Sequence, residues 1–293
     1  MITPRITVVG SINMDLVTTA SSFPIQGETI KGSKFKTFPG GKGANQAVAA
    51  SRLGANVTLI GCVGSDDFGK ELKDRLLNEN IQVDHLNVIE GSSTGIASIT
   101  VSNQDNSIII VPGANNLLSP EMISEKEEVI AESDLLLLQL EIPLSSVIKA
   151  AELAKKHSVK ILLNPAPIEK LPDSLLEMAD YLTPNEHEMT YFKNNKPIQK
   201  KMIVTHGSKG VIFIENGEEK CIEAHRVKVV DTTGAGDTFN GALAISLSKG
   251  DSLEQACRFG NAAAALSVTK FGAQGGMPFI EEVKKILLNN RPD

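Results

Sequence analysis

Leu135-Leu-Leu-Leu-Gln-Leu140, then a helical pattern over Ser145 to His157, then Val159-Lys-Ile-Leu-Leu163, decides how this chain is read. A short apolar run, an amphipathic crossover and a second apolar run make a βαβ unit. Runs that are apolar at every position belong to parallel strands covered on both faces. The rhythm holds from residue 134 to 214. Toward the N-terminus, Ile6-Thr-Val-Val-Gly10 reads as a strand, and a helix over Gly43 to Leu53 stops at Gly54. Val57-Thr-Leu-Ile-Gly-Cys-Val63 is the next strand. Two stretches break the rhythm: residues 12–38, with Pro24, Gly27 and Gly32, and Gly95 to Val111, a hairpin around Asn103-Gln-Asp-Asn106. Both are expected to form β-ribbons standing off the main sheet as a lid. A further hairpin is expected where Val211-Ile-Phe-Ile214 and Lys220-Cys-Ile222 flank Glu215-Asn-Gly-Glu218, and three helical patterns follow Ala235.

With 293 residues, 41% of them apolar, the chain can bury a large core as one domain, or one plus a small appendage. Its formal charge of −6 disfavours nucleic acid and anionic membranes as partners. No apolar run approaches the roughly 20 residues of a membrane span. The N-terminus lacks the features of a signal peptide, so the expected location is the cytoplasm. Cys62, Cys221 and Cys257 are too widely spaced for a zinc site or a disulfide framework and are expected to be small core residues.

The most informative string is Asp231-Thr-Thr-Gly-Ala-Gly-Asp-Thr-Phe-Asn-Gly241, a glycine turn opening a helix. Backbone N–H groups around Gly234, Ala235, Gly236 and Asp237 can converge there on an anion that develops during phosphoryl transfer. Asp237, in the first turn, is placed to take a hydroxyl proton as general base. A lone acid there would merely complement the helix dipole, but the whole string supports the catalytic reading. Pro39-Gly-Gly-Lys-Gly-Ala-Asn45 is a second glycine turn, with Lys42 and Asn45 three apart, as a sugar-hydroxyl clamp requires. Asn13 and Asp15, two apart on an extended segment, share a face and suit vicinal hydroxyls, although taken in isolation a polar strand surface is the better explanation of the pair. Glu141 ends an apolar strand, where open parallel sheets bind ligands and where carboxylates are also commonly just solvated.

Gly10-Ser-Ile-Asn-Met-Asp15, Gly40-Gly-Lys-Gly-Ala-Asn-Gln-Ala47, Asn164-Pro-Ala-Pro167, Asn185-Glu-His-Glu188 and Asp231 to Gly241, in this order, resemble the ribokinase branch of the PfkB-type carbohydrate kinases. The resemblance implies a single α/β domain over residues 1–293, a three-layer αβα fold with a mostly parallel central sheet and a small β-sheet lid from about 12–38 and 95–111. It implies D-ribose and ATP as substrates, Mg²⁺, activation by K⁺, and pairing of two chains through the lid. Asp237 would be the base and Gly234, Ala235 and Gly236 the anion hole, while Asn13, Asp15, Gly41, Lys42, Asn45 and Glu141 would contact the sugar. Asn185, Thr205, His206, Gly207, Ser208, Lys209, Gly210, Gly236 and Asn261 would hold the nucleotide, and Glu188 would order water around Mg²⁺. Asp231, Thr233, Ser267, Lys270, Gly272 and Gly276 resemble the potassium shell, where backbone carbonyls matter more than side chains.

Two departures stand out. Only 19 residues separate Asn185 from Thr205, with a polar connection expected over Tyr191 to Lys201 in place of a helix, and His206 replaces an apolar residue. Two cheap motifs fail on inspection. Gly64-Ser-Asp-Asp-Phe-Gly-Lys-Glu71 puts Glu71 where a P-loop needs Ser or Thr. Gly91-Ser-Ser-Thr-Gly95 is followed by an expected strand where a hydrolase elbow requires a helix. The alternatives are another sugar or nucleoside kinase of the same type, acting on deoxyribose, fructose or a nucleoside, and a silent sugar-binding protein, which would need neither Asp237 nor its glycine turn.

Overall fold

Leu135 and Leu137 pack into one hydrophobic cluster and Leu136 and Leu138 into another, on opposite faces of one strand, and all four are fully buried. That alternation is what a sheet covered on both sides demands. The computed structural model describes residues 3–103, 105–192 and 196–289. Its central sheet has seven parallel strands, running Tyr181–Leu182, Lys160–Leu163, Leu135–Leu138, Arg5–Val9, Asn56–Gly64 and Ile81–Gln82, with Leu86–Ile89 pairing the second half of Asn56–Gly64. Helices Lys42–Arg52, Asp67–Asn78, Ala235–Ser248, Leu253–Ser267 and Ile280–Asn289 cover one face. Pro120–Ser124, Glu127–Ala131, Leu144–Lys156 and Asp173–Met178 cover the other. The result is a three-layer α/β fold.

From Arg5–Val9 the chain crosses first to Asn56–Gly64 on one side and later to Leu135–Leu138 on the other. The carboxyl ends of these strands therefore flank the point where strand order reverses, the place where open α/β sheets bind ligands. A separate four-stranded sheet stands beside this point, in the order Gly32–Gly40, Asn13–Ala20, Gly95–Ser102, Asp105–Val111. Asn13–Ala20 runs antiparallel to Gly32–Gly40 and parallel to Gly95–Ser102. The strand at Gly95–Ser102 occupies the place where a hydrolase elbow would have needed a helix. A third, antiparallel sheet of Ile203–Thr205, Val211–Glu215 and Glu218–Ile222 continues the central one through bridges Leu182–Met202 and Asn185–Thr205. Asn216 and Gly217 both have positive φ, 55° and 84°, as a primed hairpin turn needs.

Three details differ from the sequence reading. Cys62 and Cys257 are buried, but Cys221 is exposed, because its strand carries the outward side of a two-faced antiparallel sheet. Tyr191 to Lys201 is not merely a polar connection: it holds the end of a 3₁₀ turn, Glu188–Phe192, and a short helix, Lys196–Gln199, anchored by buried Phe192 and Ile198. Residues 193–195 of that stretch, like Gln104 in the expected hairpin turn, lie outside the described residues. A short fourth helix, Ala273–Gly276, joins the three expected after Ala235.

Helices Lys42–Arg52 and Ala235–Ser248 approach most tightly at Gly241. A Cβ there would lie 2.7 Å from Ala49 Cβ and 2.9 Å from Gln46 O. Gly241→Ala should therefore destabilise the fold by about 1–3 kcal/mol through overpacking, read by urea unfolding. Gly275→Ala, whose added carbon meets nothing within 4 Å, is the control expected to stay within about 0.5 kcal/mol; equal losses would show that the helix approach is not the cause.

Candidate active site

The site forms around the start of Ala235–Ser248. Gly234 caps this helix in the left-handed region at φ 79°, and a Cβ on it would lie 2.9 Å from Ala273, so only glycine fits the turn. First-turn N–H groups have no intrahelical acceptor and carry the positive end of the helix dipole. Asp237 sits in that turn at 8% exposure, too buried for a residue that only complements the dipole. Its Oδ1 accepts from Gln46 Nε2 and its Oδ2 from Asn45 Nδ2, each at 3.0 Å. Burial raises its pKa strongly, while Lys42 and these two amides work against the rise. A carboxylate with raised proton affinity beside a donor-rich turn can take a proton while the turn holds an anion.

Beside it lie the residues expected to clamp a sugar. Glu141 Oε2 accepts from the Lys42 N–H at 3.0 Å and from Ser11 Oγ at 2.6 Å, so it caps the start of Lys42–Arg52 across the strand-order switch. Gly41, at φ 87°, packs its Cα against the backbone of Ser11 to Asn13, where a Cβ would come within 2.9 Å. Asn13 is buried, its Oδ1 accepting from Asn115 Nδ2 at 2.7 Å. Asn115 also exchanges bonds with the Ile12 backbone at 2.9 and 3.0 Å, so it fixes the strand that carries Asn13 and Asp15. Nothing in the sequence singled Asn115 out. Asp15 is pushed up to about 7 by burial first, then by Glu141 and Asp237. Burial pulls the Lys42 ammonium down, but Asp237, Glu141 and Glu188 together outweigh it and leave it raised. One cation thus faces a group of carboxylates.

On the other side of Asp237 a cavity of about 140 Å³ is lined by Lys42, Asn185, Glu188, Gly234 and Gly236. It leads to a groove of about 670 Å³ bounded by Thr205, Gly207, Ser208, Gly210 and Asn261, a size that suits a nucleotide. Arg226, Ala264 and Val268 also line this groove, and their ordinary residue types gave no signal in the sequence. His206 and Lys209 are not among its lining residues; His206 Nδ1 lies 3.5 Å from Glu186 Oε2. Asn261 Nδ2 donates to Glu223 O at 2.8 Å, tying the groove floor to the strand before it. Asn185 and Glu188 form a reciprocal cap: Asn185 Oδ1 accepts from the Glu188 N–H and Glu188 Oε2 from the Asn185 N–H, both at 2.9 Å. Burial raises the Glu188 pKa against that bond and Lys42.

Asp231 links the glycine turn to the loop after Ser267. Its Oδ1 accepts from the Thr233 N–H and hydroxyl at 2.9 and 2.7 Å, and its Oδ2 from the Gly272 N–H at 2.9 Å. Desolvation opposes ionisation of Asp231, but these bonds prevail and hold it below the usual range. Gly276 packs on the Ser267 carbonyl, and the Lys270 ammonium pairs with Glu282 at 3.2 Å. Among the described residues no three His, Cys, Asp or Glu side chains gather as a metal site. The groups this loop can offer an ion are oxygens, which suit a hard cation rather than a soft transition metal.

Residues 3–280 match the model of the pfkB family of carbohydrate kinases. A ribokinase of Bacillus subtilis is 43% identical over 290 residues, covering 97% of this chain and 99% of its own. A ribokinase of Haemophilus influenzae is 44% identical over 300 residues, covering 96% and 98%. The structure of an Arabidopsis thaliana ribokinase complexed with ribose and ATP superposes with a TM-score of 0.91 at 34% identity, covering 98% of this chain and 99% of that one.

The Asp15 shift has a measurable sign. A carboxyl that binds its proton more tightly when folded loses stability as pH rises from about 4 through about 7. Asp15→Asn should accordingly melt roughly 2–6 °C above the parent at about pH 8 and level with it near pH 4. An equal difference at both pH values would show that the charge is not responsible.

Proposed function

The chain belongs to the pfkB family of carbohydrate kinases, and on that premise we propose that it transfers the γ-phosphoryl group of ATP to the 5-hydroxyl of D-ribose, giving D-ribose 5-phosphate and ADP. The observation that carries this reading is the position of Asp237, between the sugar-clamp residues bonded through Asn45 and the cavity that opens to the nucleotide groove. Asn13, Asp15, Gly41, Lys42, Asn45 and Glu141 hold the ribose hydroxyls. Asp237 accepts the 5-hydroxyl proton as that oxygen forms its bond to the γ-phosphorus. The bond from phosphorus to the bridging oxygen breaks, and ADP leaves with the electron pair. N–H groups of Gly234 to Gly236 and the Lys42 ammonium face the charge that spreads over the transferred group.

Asn185, Thr205, Gly207, Ser208, Gly210, Gly236 and Asn261 hold the nucleotide. Glu188, a buried carboxylate that lines the phosphate cavity along with Asp237, fits Mg²⁺, which favours its own waters and substrate phosphates over an all-protein cage. When bound, Mg²⁺ neutralises phosphate charge. Asp231, Thr233 and the carbonyls of the loop carrying Ser267, Lys270, Gly272 and Gly276 would hold K⁺. The four-stranded sheet, which carries Asn13 and Asp15, serves as a lid. Its edge strand Asp105–Val111 leaves Ile108, Ile109 and Ile110 at least half exposed, which supports pairing of two chains along that edge. Among the described residues no helix is long and apolar enough to cross a membrane. The three cysteines are free, in keeping with a reducing cytoplasm.

Asp237→Asn should lose roughly 10²-fold to 10⁴-fold in kcat with ATP binding kept. In a coupled assay over D-ribose, deoxyribose, fructose and a nucleoside, ribose should give the highest kcat/KM. Retained turnover in folded Asp237→Asn would remove its role as base, and a better substrate in the panel would reassign the sugar. K⁺ should raise kcat at fixed Mg²⁺ and fixed ionic strength more than Na⁺ or tetramethylammonium does, since screening depends on ionic strength alone. Equal rates in the three chlorides would remove the cation site.

A further inference from the structure

Behind Asp237 runs a line of buried amides, of which Asn164 reaches the phosphate cavity while Gln46 and Gln139 line neither that cavity nor the nucleotide groove. Gln46 and Gln139 are both 0% exposed. Gln139 Nε2 donates to Gln46 Oε1 at 2.7 Å, and Gln46 Nε2 donates to Asp237 Oδ1 at 3.0 Å and to Asn164 Oδ1 at 3.2 Å. Asn164 passes its own Nδ2 to Thr183 O at 3.0 Å. One end of this line dictates the direction of the bonds. An ionised carboxylate only accepts, so Gln46 must turn its NH₂ toward Asp237 and its carbonyl back toward Gln139. Gln139 must then donate to Gln46 and point its own carbonyl away. That carbonyl, Gln139 Oε1, has no hydrogen-bond partner among the described residues, and a Cβ on Gly10 would collide with it.

An orphaned buried carbonyl is costly, and an apolar side chain of the same shape would avoid it. The polarity of Gln139 is accounted for by the bond it directs at the far end of the line. The second carboxylate oxygen is treated the same way: Gln274 Nε2 donates to Asn45 Oδ1 and Asn45 Nδ2 to Asp237 Oδ2, both at 3.0 Å. We propose that Gln46, with its amide direction set by Gln139, is a positioning residue that fixes the plane of the Asp237 carboxylate and keeps it ionised in a site that buries it. The inference rests on the assignment of Asp237 as the base. Lys42, which also favours the ionised form, and Glu141 and Asp15, which oppose it, complete the charged groups facing Asp237, and all three stay in place in the variants below.

Gln46→Met and Gln139→Met, neither of which touches sugar or nucleotide in this account, are compared with the parent. The readouts are kcat/KM for ribose over about pH 5 to 9, ADP affinity by calorimetry, and melting temperature. Losing the Gln46 donor should move the acid limb upward by about one to two pH units, the shift equivalent to a hydrogen bond to a charged group. The plateau kcat should fall roughly tenfold as the carboxylate loses its fixed plane, with ADP affinity unchanged. Gln139→Met frees Gln46 to flip, so its limb should move in the same direction by less. Limbs that stay in place in both variants while melting temperatures fall would overturn the proposal and leave the amides as core packing. Should Gln46→Met fail to fold, the Gln139→Met limb decides: moved supports the proposal, unmoved overturns it. A parent without ribose turnover overturns the kinase assignment and this inference together, whereas an active parent with unmoved limbs overturns the inference alone.

Discussion

A carboxylate taken out of water must find donors for its lone pairs or give up its charge, and Asp237 meets that constraint with amides from helix Lys42–Arg52 on both of its oxygens. Much of the surrounding architecture follows from it. The two helices can bring Gln46 and Asn45 to Asp237 only if they cross closely, which they do at Gly241, where no side chain intervenes. Helix Lys42–Arg52 must begin at the strand-order switch, and Glu141, from the bend that follows strand Leu135–Leu138 across the switch, caps it there. The loop behind the glycine turn must be held as well. Asp231 fastens it to Gly272, and Arg52 Nη1 donates to Gln274 O at 2.6 Å and to Met277 O at 3.0 Å.

The same geometry sets the electrostatics of the site. Glu141 and Asp237 disfavour the charge of Asp15, Glu141 also disfavours that of Asp237, and Lys42 is the cation that offsets the group. Carboxylates crowded in this way have strong reason to accept hydroxyl donors, which a sugar supplies without adding charge. The positive end of the helix dipole and the Lys42 ammonium lie toward the phosphate cavity. One side of Asp237 therefore welcomes neutral hydroxyls and the other an anion, the division of labour that a sugar kinase requires.

Much of this could be read in the sequence because its signals are local. Leu135 to Leu138, apolar at every position, read as a doubly covered strand, and glycines ahead of Lys42 and Asp237 marked helix starts. The hairpin at Asn216 and Gly217 was equally plain, since few residues tolerate positive φ. What escaped depends on contacts distant along the chain. Asn115 fixes Asn13 from 102 residues away and Gln139 reaches Gln46 across 93. A faint signal for Gln139 existed, as the one amide in an otherwise apolar run, but its partner is fixed only by the packing of strand against helix. Cys221 shows the opposite failure, since composition placed it in the core while the outer face of its strand left it exposed.

A crystal structure with ribose and a non-hydrolysable ATP analogue measures the central geometry directly. The account requires the ribose 5-oxygen within about 2.6–3.2 Å of an Asp237 carboxylate oxygen and in line with the γ-phosphorus, with the N–H groups of the glycine turn facing that phosphate. A sugar whose 5-oxygen points away from Asp237, or a γ-phosphate bound away from Gly236, would contradict it.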